Sequence, residues 1–211
     1  MTKSLHMIAV LSVIALISGF ALGSLNDLTY EKAVNNILKF KKIPAVAGLY
    51  EVVHGELDPM KRTAVEEELL SERKLVEVEG EPVLVFVIKK GGKPYAAAIE
   101  NFGAGFAGDV GVMVGFEIET GDLVGVGVTT LSETPGLGSR VTEDFFTMQF
   151  RGLGRDTVFK VKKDGGEIDA VTGATVSSRA VAQAIEEAAA FYAKHREAIV
   201  DAIDAAPGGA Q

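Results

Sequence analysis

The chain has no cysteine and no tryptophan, and only three histidines among 211 residues. Without cysteine it can form neither a disulfide nor a thiolate-held zinc or iron–sulfur site. His6, His54 and His195 lie too far apart to suggest a ligand set, and they read as isolated surface or interface residues. No metal site is therefore assigned. Positive charge is scarce as well: 21 Lys and Arg against 29 Asp and Glu leave a formal net charge of −8. Nucleic-acid binding needs a cationic surface that displaces counterions, which argues against nucleic acid as a partner. Any redox chemistry falls to an organic cofactor.

One long apolar run is present. From Ser4 to Asn26 no side chain carries a full charge, and Leu5 through Leu25 is rich in Leu, Ile, Val, Ala and Met. That length suffices to cross a bilayer as a helix. Lys3 and the α-amino group precede it, whereas Asp27 and Glu31 follow. The expected arrangement is a single-pass anchor in the cytoplasmic membrane, with residues 4–26 in lipid, the N-terminus inside and the remaining chain exported. A cleaved signal peptide is the competing reading, since Ala21 and Gly23 form a small-x-small pair. The run exceeds a usual signal core, which favours the anchor.

Beyond the anchor, Tyr30–Lys41 reads as a helix capped by Thr29 and ended by Pro44, and Lys61–Lys74 as an exposed helix or charged connector. Pro82–Lys90, Pro94–Glu100, Val110–Glu119 and Leu123–Thr130 read as four antiparallel strands, and Thr157–Lys162 as a shorter fifth. From Val176 to about Ala205 runs a long helix, with Val181, Ile185, Ala188 and Tyr192 on one apolar stripe. The expected fold class is α+β: a transmembrane helix (1–28), a helical connector (29–75), a domain of antiparallel sheet packed with helices (76–206) and a flexible tail (207–211).

Two loops stand out. Asp169-Ala170-Val171-Thr172-Gly173-Ala174-Thr175-Val176-Ser177-Ser178 is a hydroxyl-rich loop opening the last helix. Free N–H groups and the positive dipole end at such a place favour a phosphate, and Gly173 and Ala174 let a bulky group approach. Simple capping by Ser or Thr is the bland alternative. The loop is not a Walker motif, because no Lys follows the glycine. The second loop, Glu133-Thr134-Pro135-Gly136-Leu137-Gly138, follows a strand. Pro135-Gly136 is a turn signal, but a turn does not account for Glu133-Thr134. Gly103–Gly108 is glycine-rich without forming a strand–GxGxxG–helix unit, so no nicotinamide site is visible.

These residues resemble the FMN-binding domain family, whose attachment motif is D-x-x-[ST]-G-A-[ST]. Asp169, Thr172, Gly173, Ala174 and Thr175 fill every fixed position, and Glu133 to Gly138 matches the family's E-T-P-G-L-G turn. Many relatives carry a His shortly before that Glu, where Leu131 and Ser132 stand here. The resemblance implies FMN joined covalently to Thr175 through a phosphoester. It implies cofactor contacts from Glu133, Thr134, Leu137, Gly138, Thr172, Gly173, Ala174, Val176 and Ser177. Asp169, Thr172, Gly173, Ala174 and Thr175 would be recognised by a flavin transferase that takes FMN from FAD. It further implies an electron relay, not catalytic alone, among other subunits of an Rnf-type membrane complex coupling ferredoxin and NAD oxidoreduction to Na+ or H+ movement. A sodium-pumping NADH:quinone reductase setting, or an anchored scaffold without redox function, are the alternatives.

Overall fold

The structure, a computed structural model, describes residues 2–205; the tail expected at 207–211 lies outside the described residues. Two compact units divide the chain between Phe40 and Lys41. The first is built on helix α1, Thr2–Ile37. Its stretch His6–Tyr30, 25 residues, is long and apolar enough to cross a membrane. Thr29 caps nothing. It sits inside α1, where its hydroxyl donates back to the Leu25 carbonyl at 2.8 Å, so the helix expected to start at Tyr30 is the continuation of α1.

The second unit opens with α2, Ile43–His54, which the sequence pattern conceals because Pro44 reads as a terminator. At the start of a helix a proline forfeits no hydrogen bond, and its fixed φ suits the first turn. Helix α3, Pro59–Ser71, starts in the same way. The Asp58 carboxylate caps it, accepting from the amides of Met60 at 3.1 Å and Lys61 at 2.9 Å.

Five strands follow: β1 Lys74–Val78, β2 Glu81–Lys90, β3 Lys93–Ala104, β4 Asp109–Glu117 and β5 Leu123–Thr130. They form one antiparallel meander in sequence order. The expected strand at Thr157–Lys162 reduces to a single bridge between Val161 and Ile168. A short helix, α4 Asp144–Thr147, precedes α5, Thr175–Asp204.

Both faces of the sheet are covered, which explains why its central strands read as continuous apolar runs rather than alternating ones. Val85, Val87, Ala97, Ile99, Val112, Val114 and Phe116 face α5 and share a core with Val181, Ile185, Ala188 and Tyr192. Burying each Val or Ile of that stripe contributes roughly 1.5–3 kcal/mol. The opposite face meets α2. There Gly115, Gly125 and Gly127 lie against Leu49 and Ala45, leaving room for the helix to sit close on β5. A Lys42–Glu100 ion pair of 2.7 Å ties the start of this layer to β3.

Candidate functional site

Helix α5 begins where the chain turns sharply at Gly173, whose φ of +83° is a left-handed conformation open to glycine. Ala174, not a hydroxyl residue, occupies the cap position, and its amide donates to the Val171 carbonyl at 2.9 Å. Ser178 staples the same turn: its Oγ accepts from the Val171 amide at 2.9 Å and donates to the Ala174 carbonyl at 3.0 Å. The hydroxyls of this loop are therefore not a capping cluster: Ser178 staples the turn, while Ser177 and Thr175 make separate contacts.

Ser177 is buried, and its hydroxyl donates to Glu133 Oε2 at 2.8 Å. The other carboxylate oxygen of Glu133 accepts from the Phe106 amide at 2.6 Å and the Ala107 amide at 3.3 Å. One buried carboxylate thus joins the β3–β4 loop, the Glu133–Gly138 turn and the start of α5. Its charge is met by three donors, which is what burying a carboxylate without a cation requires. Gly138 packs so closely that an added Cβ would lie 2.6 Å from Glu133 Oε2 and 2.7 Å from Ser177 Oγ.

These segments enclose a cavity of about 440 Å³ lined by Phe106, Glu133, Thr134, Leu137, Gly138, Lys163, Gly173, Ala174, Thr175, Val176 and Ser177. That size is within the range of small-molecule sites. Phe106, Leu137 and Val176 are exposed apolar side chains on its rim. At the helix end, Lys163 Nζ donates to Thr175 Oγ1 at 3.5 Å. Among the described residues this is the side-chain hydrogen bond of Thr175, which is itself the first residue of α5, at the positive end of the helix.

Lys163 is carried on a short loop bound at both ends. The Lys162 amide donates to the Ile168 carbonyl at 2.9 Å, and the Gly166 amide to the Val161 carbonyl at 3.2 Å. Arg179 on α5 donates from Nε and Nη2 to the two oxygens of Asp164, at 2.6 and 2.7 Å. That hydrogen-bonded guanidinium holds the Asp164 carboxyl below the ordinary carboxylate range.

The two sequence-marked loops therefore meet in space, with Glu133, Thr134, Leu137, Gly138, Gly173, Ala174, Thr175, Val176 and Ser177 around one cavity. Thr172 is exposed and does not line it. Asp169 also lies outside: its carboxylate pairs with Lys162 at 2.7 Å, and its amide donates to Gln149 Oε1 at 2.8 Å. Phe106 and Lys163 are lining residues that sequence reasoning did not single out. The traces they leave are faint. One is a lone aromatic inside the Gly103–Gly108 loop, and the other is a basic run, Lys160 to Lys163, before Gly165-Gly166.

Residues 105–190, the segment that carries the cavity and the hydroxyl loop, match the model of the FMN-binding domain family. More particular likenesses run through named proteins. Over 130 residues the chain is 32% identical to the G subunit of the ion-translocating oxidoreductase complex of Shewanella piezotolerans, covering 58% of this chain and 60% of that protein. The protein of the same name from Pectobacterium atrosepticum is 37% identical over 118 residues, covering 52% and 56%. That of Shewanella loihica is 25% identical over 200 residues, 92% of this chain and 91% of the relative. The first two alignments thus span less than two thirds of the relatives' own lengths. Among solved structures, the C subunit of the Na(+)-translocating NADH-quinone reductase of Parabacteroides distasonis superposes with a TM-score of 0.54 at 22% identity, over 67% of this chain and 85% of that one. At that identity the likeness establishes a shared fold.

Proposed function

We propose that this chain is an electron-carrying subunit of a membrane ion-translocating oxidoreductase complex, with FMN held covalently by a phosphoester to Thr175. The observation that carries the reading is the cavity at the start of α5, where a threonine hydroxyl, a lysine ammonium and an apolar rim converge. The residues fit the cofactor. Lys163 and the helix end suit the phosphate, while Phe106, Leu137 and Val176 offer apolar surface to the ring system. FMN supplies the redox chemistry; the protein's part is to bind, orient and shield it.

Attachment exchanges a phosphoanhydride for a phosphoester and is catalysed from outside. A flavin transferase presents FAD, the Thr175 Oγ–P bond forms, the pyrophosphate P–O bond breaks, AMP leaves and the hydroxyl proton passes to solvent. No electrons move. The transferase would read the loop from Asp169 to Thr175. Asp169, exposed and outside the cavity, suits recognition better than cofactor contact.

Helix α1 would anchor the chain through residues 4–26, with the FMN domain on the extracytoplasmic side, among other subunits of the complex. The names of the relatives support such an assembly. Intact mass and peptide mapping of protein made in its own host test the central point. The peptide spanning Thr175 should carry one FMN in phosphoester linkage, and an unmodified peptide would end the reading. Co-purified proteins would identify the complex, and protease accessibility in spheroplasts the side of the membrane.

A further inference from the structure

We propose that Arg179 is a positioning residue for the modification of Thr175: clamped on Asp164, it holds Lys163 at the Thr175 hydroxyl. This rests on the reading of Thr175 as the attachment site. Thr175 and Arg179 are four residues apart on α5, so they share one face of a rigid helix. They contact consecutive residues of the facing loop, Thr175 meeting Lys163 at 3.5 Å and Arg179 meeting Asp164 at 2.6 and 2.7 Å. The two contacts form a two-rung ladder between helix and loop. The rung at Thr175 holds the reacting oxygen and is weak. The rung at Arg179 is a bidentate fork, which fixes orientation as well as distance.

Neither Arg179 nor Asp164 lines the cavity, so neither touches the ligand directly. Their neighbours leave them this role. Lys162 is drawn away to Asp169 at 2.7 Å, which leaves Lys163 as the lysine that lines the cavity. A lysine on an exposed loop has many rotamers, and holding its ammonium at one oxygen costs side-chain entropy. Anchoring the adjacent residue to the same helix that carries the oxygen removes most of the backbone share of that freedom. During transfer, negative charge on the phosphoryl oxygens gathers beside Thr175, and a preplaced cation lowers the barrier without reorganising. Lysine in place of Arg179 would keep the charge and lose the fork.

The test uses the full chain in detergent, purified without flavin from cells lacking a transferase, then given a flavin transferase, Mg2+ and saturating FAD. Initial rates are read from flavin fluorescence of the denatured protein. Arg179→Met and Arg179→Lys should both slow transfer about tenfold, less than the roughly hundredfold that a full 1 Å misplacement at a reacting centre can cost. Lys163→Met should slow it at least as much, and Lys163→Met with Arg179→Met should be no slower than Lys163→Met alone. Hydrogen exchange on the flavin-free chain supplies the second readout: the amides of Asp164, Gly165 and Gly166 should exchange faster in Arg179→Met. A wild-type rate in Arg179→Met, full rescue by Arg179→Lys, a defect that multiplies onto that of Lys163→Met, or unchanged exchange would each overturn the role. A wild-type chain that takes no flavin at Thr175 overturns the attachment reading and this role with it. A chain that loads normally whatever stands at 179 overturns this role alone.

Discussion

The two ends of helix α5 are built on different principles. Its first turn is polar inside: Ser177 and Ser178 are buried, Glu133 is buried beside them, and each of these side chains has hydrogen-bond partners. Its second half is apolar inside, with Tyr192, Ile199 and Ile203 packed into the sheet core, and there the buried Tyr192 hydroxyl has no partner among the described residues. Unmet polar groups cost more than the average hydrogen bond returns. Full satisfaction at one end, against a stranded hydroxyl at the other, singles out the end where the geometry also builds a cavity. A domain that only needed to fold would place aliphatic side chains at both.

The sharpest break of this comparison is Thr175→Ala. It should remove all covalent flavin fluorescence from the denatured protein while leaving the thermal transition of the domain nearly where it was, because Thr175 is neither the cap nor the staple of α5. Flavin that stays attached would place the ester elsewhere. Next in size is Gly103→Ala on β3, whose new Cβ would be driven into the Ala180 carbonyl of α5. Backbone cannot swing aside as a side chain can. A loss of about 3 kcal/mol is expected in denaturant unfolding, at the upper end of overpacking costs. Glu133→Ala should cost about 2 kcal/mol, since it strands two amides and a hydroxyl that together held a charge. Unlike Gly103→Ala, it should also weaken binding of free FMN to the flavin-free chain, measured by fluorescence titration.

Why these particular groups are or are not legible follows from how far apart they stand in the chain. The Asp169–Thr175 motif and the Glu133–Gly138 turn are local patterns, readable as strings. Their meeting is not local: the Glu133–Ser177 bond spans 44 positions, and Phe106 enters through a backbone amide that any residue would offer. Lys163 is one of several cationic residues around the loop: Lys162 and Arg179 are drawn to Asp169 and Asp164, and among these cations Lys163 is the one that lines the cavity. Leu123–Thr130 is legible to the residue as β5, because turn signals bound it on one side and a polar loop on the other. Strand β1 is hidden. Its five residues follow a charged helix after two more charged residues, and its two-residue turn, Glu79-Gly80, puts Glu79 at a φ of +53°, where asparagine or glycine would have made the hairpin signal complete; Gly80 alone marks the bend. Helix α2 is hidden by the double meaning of proline, since Pro44 begins a helix as readily as proline ends one.

A smaller effect sharpens the polar end. The Asp164 carboxyl titrates below its unfolded value, so the Arg179 clamp contributes stability that is complete above the ordinary aspartate range near pH ~4 and fades as pH falls through the lower folded value. The thermal midpoint of Asp164→Asn should therefore trail wild type slightly at neutral pH and converge with it in acid. Both partners are well exposed, which keeps the difference small. A gap that widens in acid would reverse the sign of the coupling.

The apolar end yields a modest change of opposite sign. Tyr192 stacks on Phe116 with ring centroids 4.5 Å apart, and burial pushes its phenol up. The nearby Arg196 guanidinium offsets this in part, but its N–H groups donate to the carbonyls of Ile118 at 3.2 Å and Glu119 at 2.8 Å. Tyr192→Phe keeps the stacked ring and deletes the stranded oxygen, so it should stabilise the domain by about 1 kcal/mol, the lower range of what an unmet buried polar group costs. Denaturant unfolding with an unchanged slope would measure it, and flavin loading at Thr175 should not move. A loss of stability would mean that the hydroxyl has a partner after all, and that the far end of α5 is as fully satisfied as the end that builds the cavity.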